Sequence, residues 1–206
     1  MIYPLFWGLQ ASFKDGPVEF FNNPFGFPAK WKFKNYSDAF EMLQTNGISF
    51  FTMLFNSLWF SLGATFIGLF FLSMFAYVMA RFKFPCQGLI QNISIVMMMI
   101  PIYGSLPSQY SLYAILGISD SPLILVTFTG ILGTQSFLIT QSFYKNIPKE
   151  MSEAAKIDGA NDWVIFFRIM LPMATGVLAA FGLMSLVQHW NDYMTPLLYL
   201  PSMPTL

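Results

Sequence analysis

Charge is what this sequence has least of. Ten Lys and Arg and ten Asp and Glu make up 10% of its 206 residues, where a soluble domain carries about a quarter. No charged residue occurs from Met42 to Ala80, from Phe84 to Ser119 or from Ser121 to Tyr144. From Ile169 to Asn191 the only titratable side chain is His189. A soluble helix of such length would show a charged face, so a soluble domain is excluded. The single cysteine, Cys86, rules out an internal disulfide framework and the common zinc patterns. Zero net charge gives no electrostatic footprint for nucleic acid. No HExxH, GxSxG or phosphate-binding loop occurs, and no paired carboxylates lie in the apolar runs. The chain therefore offers no site for catalysis, a metal or a cofactor, and any ATP-driven step needs another subunit.

What is present is apolar: 55% hydrophobic and 18% aromatic residues. A transmembrane helix needs about 20 mostly apolar residues, and the uncharged runs supply several. The expected fold class is all-α, a polytopic bundle of transmembrane helices with one cytoplasmic helical excursion. Residues 1–13 read as the outer end of a first helix cut short, and 14–47 as an extracellular polar segment. Residues 48–143 hold helices two to four: about Ile48–Ala80, Leu89–Leu106 interrupted by Pro101 and Gly104, and Pro122–Tyr144. Residues 145–171 form a charged loop, Pro172–Trp190 a fifth helix, and 191–206 an extracellular stretch before a missing last helix. Small residues one turn apart (Ala64 and Gly68, Ala76 and Ala80, Gly176 and Ala180) suit close helix packing.

Lysine and arginine set the orientation. Arg81 and Lys83 follow helix two, and Lys145, Lys149, Lys156 and Arg168 follow helix four, whereas the intervening loop has only Asp120. Both basic loops are therefore expected in the cytoplasm, although Lys14, Lys30, Lys32 and Lys34 of the first polar segment weigh the other way.

Against this background "SEAAKIDGAND" (Ser152 to Asp162) is conspicuous, with four charges in eleven residues. Pro148 suits a first helical turn and Glu150 its positive end. Met151, Ala154, Ala155 and Asp158 recur at helical spacing and form one face. Gly159 stops the helix in the left-handed conformation, and Asn161 caps a second helix that runs until Pro172 opens the next span. An amphipathic connector lying on the membrane is one reading of this loop. The other is a docking surface, because two alanines beside Glu153 allow close approach of a second protein.

The same residues carry a family resemblance. Glu153, Ala154, Ala155, Gly159, Ile169, Leu171 and Pro172 fit, without a gap, the EAA signature of permease subunits of binding-protein-dependent ABC importers. The stretch from Asn56 to Pro85, "IPKEMSEAAKIDGA" and "WNDY" resemble the carbohydrate-uptake branch, the maltose and multiple-sugar permeases. That resemblance implies a six-helix type I permease in a bacterial plasma membrane, multi-pass and paired with a second permease, which makes a heterodimer the expectation. It implies ABC ATPase subunits that bind ATP and Mg, with the cytoplasmic helix seated in a cleft of the ATPase. It also implies an extracellular solute-binding protein that delivers a sugar. Glu153, Ala154, Ala155, Asp158 and Gly159, with Ile169, Leu171 and Pro172, would transmit force and perform no chemistry. A permease for a non-sugar solute, a passive channel and a membrane enzyme are the alternatives, the last two without a supporting motif.

Sugar recognition needs hydrogen-bonding groups and aromatic faces in a cavity. Asn56, Asn92, Tyr103, Gln135, Gln188 and Asn191 are candidates for a substrate pathway. Gln91, Gln109, Tyr110 and Gln141 are further polar groups in or near spans, and any of these serves equally as an interhelical hydrogen bond. His189 beside Asp192 reads as a structural hydrogen-bonding group, since no chain of intramembrane carboxylates supports a proton relay.

Overall fold

The computed structural model describes residues 3–42, 47–100, 106–129 and 132–205, and among them no strand occurs. The chain divides into two compact units after Met53.

The first unit is more ordered than a polar connection. It contains α1 (Tyr3–Ser12), α2 (Gly16–Asn22) and α3 (Lys34–Met42). Phe13 gathers Trp31, Phe33 and Tyr36 at ring distances of 5.2, 5.0 and 5.3 Å. Trp7 donates its indole N–H to the Pro24 carbonyl at 2.7 Å. The buried Lys14 donates to the Asn23 carbonyl and lies 5.6 Å from the Phe20 ring centre, so its charge is compensated where water is excluded. Glu19 accepts the Ala29 and Asp15 amides at 2.5 Å each, and these donors hold its carboxyl below the ordinary range.

The second unit is organised by α4 (Phe50–Arg81), an unbroken 32-residue helix that agrees with the expected second span. Two hydrophobic clusters lie along it. Phe60 and Ala64 pack with Ile124, Leu125, Tyr199 and Leu200 near its start. Leu72, Ala76, Tyr77 and Met79 pack with Phe137, Tyr144, Phe166 and Met170 near its end. Ala64 and Ala76 are wholly buried, as close packing requires. Gly176 differs: a Cβ there would meet nothing within 4 Å, and Ala180 is exposed, so that pair is not closely packed among the described residues. A short polar core joins three helices. The Ser73 and Tyr144 hydroxyls lie 2.6 Å apart, and Gln141 bonds Gln91 at 2.8 Å. Gln141 also donates to the Met79 carbonyl at 3.3 Å, one of the last carbonyls of α4, which have no helical partner.

The other expected spans are shorter or broken. α5 (Gln87–Met99) covers the first part of the third, α6 (Leu106–Ile115) follows, and Pro101, Tyr103 and Gly104 lie outside the described residues. The fourth is not one helix. A 3-10 helix occupies Pro122–Thr129, and α7 (Gln135–Asn146) starts afresh, capped by the Thr134 hydroxyl, which accepts the Phe137 amide at 3.3 Å. The reason is Gly133. Its φ of +78° belongs to no helix, and a Cβ there would lie 2.8 Å from Cβ of Met97, so α5 approaches this corner as closely as glycine permits.

The fifth span also begins later than expected. Helix continues through Pro172, as α9 (Asp162–Ile165), a π-helical turn (Phe166–Met170) and α10 (Leu171–Met173). α11 (Thr175–Trp190) follows at a 73° bend, and α12 (Met194–Tyr199) comes after it. Pro172 lacks the amide that would bond one turn back, and the π-turn absorbs the mismatch, so Ala174 becomes the corner. Among the described residues α4 is the single helix long and apolar enough to cross a bilayer, and the bent Asp162–Trp190 pair qualifies when taken together.

Candidate functional site

The charged loop folds as a short helix fixed at both ends. α7 ends at Ile147, which is buried and extended, and Pro148 precedes the helix as its cap residue, one position earlier than expected. α8 (Lys149–Ile157) has Glu150 in its first turn and Lys156 in its last, both favourable to the helix dipole. Its end is a Schellman turn. The Gly159 amide donates to the Lys156 carbonyl at 3.0 Å and the Ala160 amide to the Ala155 carbonyl at 2.9 Å, with Gly159 at φ +81°. Asn161 then starts α9 by accepting the Val164 amide at 2.8 Å. Lys156 bridges the turn to Asp162 at 3.0 Å.

α8 is also tied to the long helix. Arg81, the last residue of α4, donates to the Ile147 carbonyl at 2.7 Å, directly before α8 begins. Ala155 and Ala160 pack against the cluster around Tyr77 and Phe166. The helix thereby turns one side inward and leaves the other in solvent. Glu153, Ala154, Asp158 and Gly159 are exposed, as is Met151. The sequence-derived face of Met151, Ala154, Ala155 and Asp158 is thus corrected at one position: Ala155 is half-buried and belongs to the inner side. Ile157, 87% exposed, stands beside the outward face although nothing polar compels it there. Ile169 and Leu171 are half-buried on the helix that supports α8, and Pro172 is exposed at its far end. The outward side is a surface of small and acidic side chains on a mount hydrogen-bonded to α4.

The six substrate-pathway candidates do not converge. Asn56 donates to the Pro204 carbonyl at 3.0 Å, and Asn191 folds back onto the Val187 carbonyl of its own helix at 2.7 Å. Asn92 on α5, Gln135 at the start of α7 and Gln188 on α11 are exposed, while Tyr103 is outside the described residues. Among the described residues no hydrogen bond joins any two of them. Gln91 and Gln141 form the interhelical bond described above, Tyr110 stacks with Tyr199 at 6.2 Å and Gln109 is half-buried on α6. His189 meets Phe60 edge-on at 6.2 Å, and Asp192 accepts the Thr195 amide at 3.0 Å at the start of α12.

At the opposite end from Arg81, Asp120 makes a tie that its sequence position did not announce. At φ +58° it donates its amide to the Tyr199 carbonyl at 2.6 Å and accepts the Ser202 amide and hydroxyl at 3.0 and 2.5 Å. Those donors hold its carboxyl below the ordinary range. Arg81 was likewise legible only as a loop charge, and its bond to Ile147 spans 66 residues.

Residues 70–204 match the family model described as binding-protein-dependent transport system inner membrane component. The diacetylchitobiose uptake system permease protein of Streptomyces coelicolor is 31% identical over 95% of this chain and 63% of its own length. The polygalacturonan/rhamnogalacturonan transport system permease protein of Bacillus subtilis is 32% identical over 79% of this chain and 56% of its own. The chain thus spans less than two thirds of either relative. The crystal structure of a bacterial ABC transporter that imports the acidic polysaccharide alginate contains a chain of the same fold. It superposes with a TM-score of 0.75 over 97% of this chain and 68% of that one, at 21% identity.

Proposed function

The chain belongs to the family of binding-protein-dependent transport system inner membrane components, and from that membership we propose that it is the permease subunit of an ATP-driven sugar importer. It is a membrane protein of the helical type I importer permease fold and a transport subunit, with no catalytic role of its own. On this reading it is multi-pass in a bacterial inner membrane, with α8 in the cytoplasm. It pairs with a second, different permease, receives solute from an extracellular binding protein and uses ATP and Mg held by separate ATPase subunits. The cargo is an oligosaccharide or a fragment of a polysaccharide, the class that the names of its relatives share.

The observation that carries this reading is α8 itself: a helix bolted to α4 through Arg81 and closed by Gly159, with Glu153, Ala154 and Asp158 outward. A surface so mounted transfers displacement to the bundle. The alanine gives a partner close approach, and the carboxylates select a basic one. The test is uptake by proteoliposomes holding the full-length subunit, its second permease and its ATPase, with the cognate binding protein and candidate oligosaccharides. ATP-dependent accumulation of one of them supports the reading. Accumulation without the ATPase would make the protein a passive carrier, and ATP-driven uptake of a non-sugar solute alone would reassign the cargo.

A further inference from the structure

Beside α8, where α4 ends, two clefts run into one another. One, of about 220 Å³, is lined by Arg81, Lys149, Ser152, Glu153 and Lys156. The other, of about 310 Å³, is lined by Met74, Val78, Trp163 and Phe166. Tyr77, Phe82 and Asp162 border both, so they form one furrow with a cationic head and an apolar body.

The head has unmet hydrogen-bonding capacity. Nε of Arg81 and Oγ of Ser152 are buried and without a partner among the described residues, a condition that costs about 1–3 kcal/mol per group when nothing compensates it. Arg81, Lys149 and Lys156 place three cations around these atoms. Asp162 answers Lys156 at 3.0 Å and Glu153 is exposed on the outer rim, which leaves the head with an excess of one positive charge. Arg81 is the first charged residue after the apolar run of α4, so the head sits where that helix turns polar and the body lies on its apolar side.

We propose that this furrow binds one anionic phospholipid, its phosphate at Arg81, Ser152 and Lys149 and an acyl chain along Met74, Val78, Trp163 and Phe166. A free phosphate would satisfy the head and leave the apolar body empty, whereas a diacyl phosphate fills both. Basic pockets at helix ends hold lipid headgroups by this combination of charge and burial. Because Arg81 also holds the start of α8, the lipid stiffens the mount of the outward face. The inference rests on the transport reading only for which leaflet supplies the lipid.

The test is native mass spectrometry of the full-length complex from nanodiscs of equal phosphatidylglycerol and phosphatidylcholine. Wild type should retain phosphatidylglycerol several-fold over phosphatidylcholine. Lys149→Gln, on an exposed residue, should lower that retention about fivefold, the weight of one cation near an anionic surface. Val78→Trp should lower it by filling the body. Equal retention of the two lipids, or retention unmoved by both variants, would overturn the proposal, as would binding of inorganic phosphate with no preference for phosphatidylglycerol. A complex that hydrolyses ATP and imports solute but fails this test leaves the transport reading intact. Lipid retention by the isolated subunit is readable even where that reading fails.

Discussion

Replacing Gly159 by valine isolates a single physical effect. A Cβ added at Gly159 meets nothing within 4 Å, so no clash at Cβ competes with the backbone effect. What remains is the backbone. At φ +81° an L-residue strains, and β-branching adds to it. The expected penalty is about 1–3 kcal/mol, against less than about 1 kcal/mol for Gly159→Asn, since Asn tolerates this region. The penalty falls on the Schellman turn, because only its two hydrogen bonds, from Gly159 and Ala160, need that backbone. Hydrogen exchange on the full-length subunit reads this locally: the Ala160 amide should lose about thirtyfold in protection in Gly159→Val and less than about fivefold in Gly159→Asn, the free-energy difference setting the ratio. Under the transport reading, ATP hydrolysed per solute imported should rise in the valine variant alone. Equal protection in the two variants would refute the reasoning, and unchanged coupling in valine would remove Gly159 from force transmission.

Gly133→Ala combines positive φ with a 2.8 Å approach to Met97, so thermal unfolding of the purified protein should report a loss of about 2–4 kcal/mol. Gln141→Leu removes the bonds to Gln91 and to the Met79 carbonyl and should cost about 1–3 kcal/mol in the same assay. Asp120, whose carboxyl is held below its ordinary 3.8 by Ser202, contributes to the tie between its loop and Ser202 at all pH values above that figure. The contribution is lost as pH falls through the lowered folded value. Limited proteolysis near Ser202 should therefore be unchanged from pH 5 to 8 in wild type and faster throughout in Asp120→Ala.

The sequence showed those features whose cause is local. Thirty-nine residues without charge dictate α4, and Gly159 and Asn161 mark the turn after α8, because propensity and capping act within a few residues. The break before α7 has a local signal, Gly133 followed by the capping Thr134, which the absence of charge across Pro122–Tyr144 concealed. The bend at Ala174 was misplaced onto Pro172, since the missing proline amide is felt one turn back and a π-turn moves the corner forward. Arg81 and Asp120 make their bonds across 66 and 82 residues, and no periodicity reports a partner at that distance. Ala155 shows a subtler limit. Helical spacing placed it on the docking face, but which of two adjacent alanines turns inward depends on where Tyr77 and Phe166 stand.

The central claim, that the outward side of α8 is seated on an ATPase, is tested most directly by site-specific crosslinking. In a full-length complex with the exposed Cys86 replaced by Ser, Ala154→Cys and Ala155→Cys each carry a short thiol-directed crosslinker. The account predicts a crosslink to the ATPase subunit from position 154 and little from position 155, which packs against this chain's own core. Equal yields from both positions, or none from 154 in an assembled and ATP-hydrolysing complex, would contradict it.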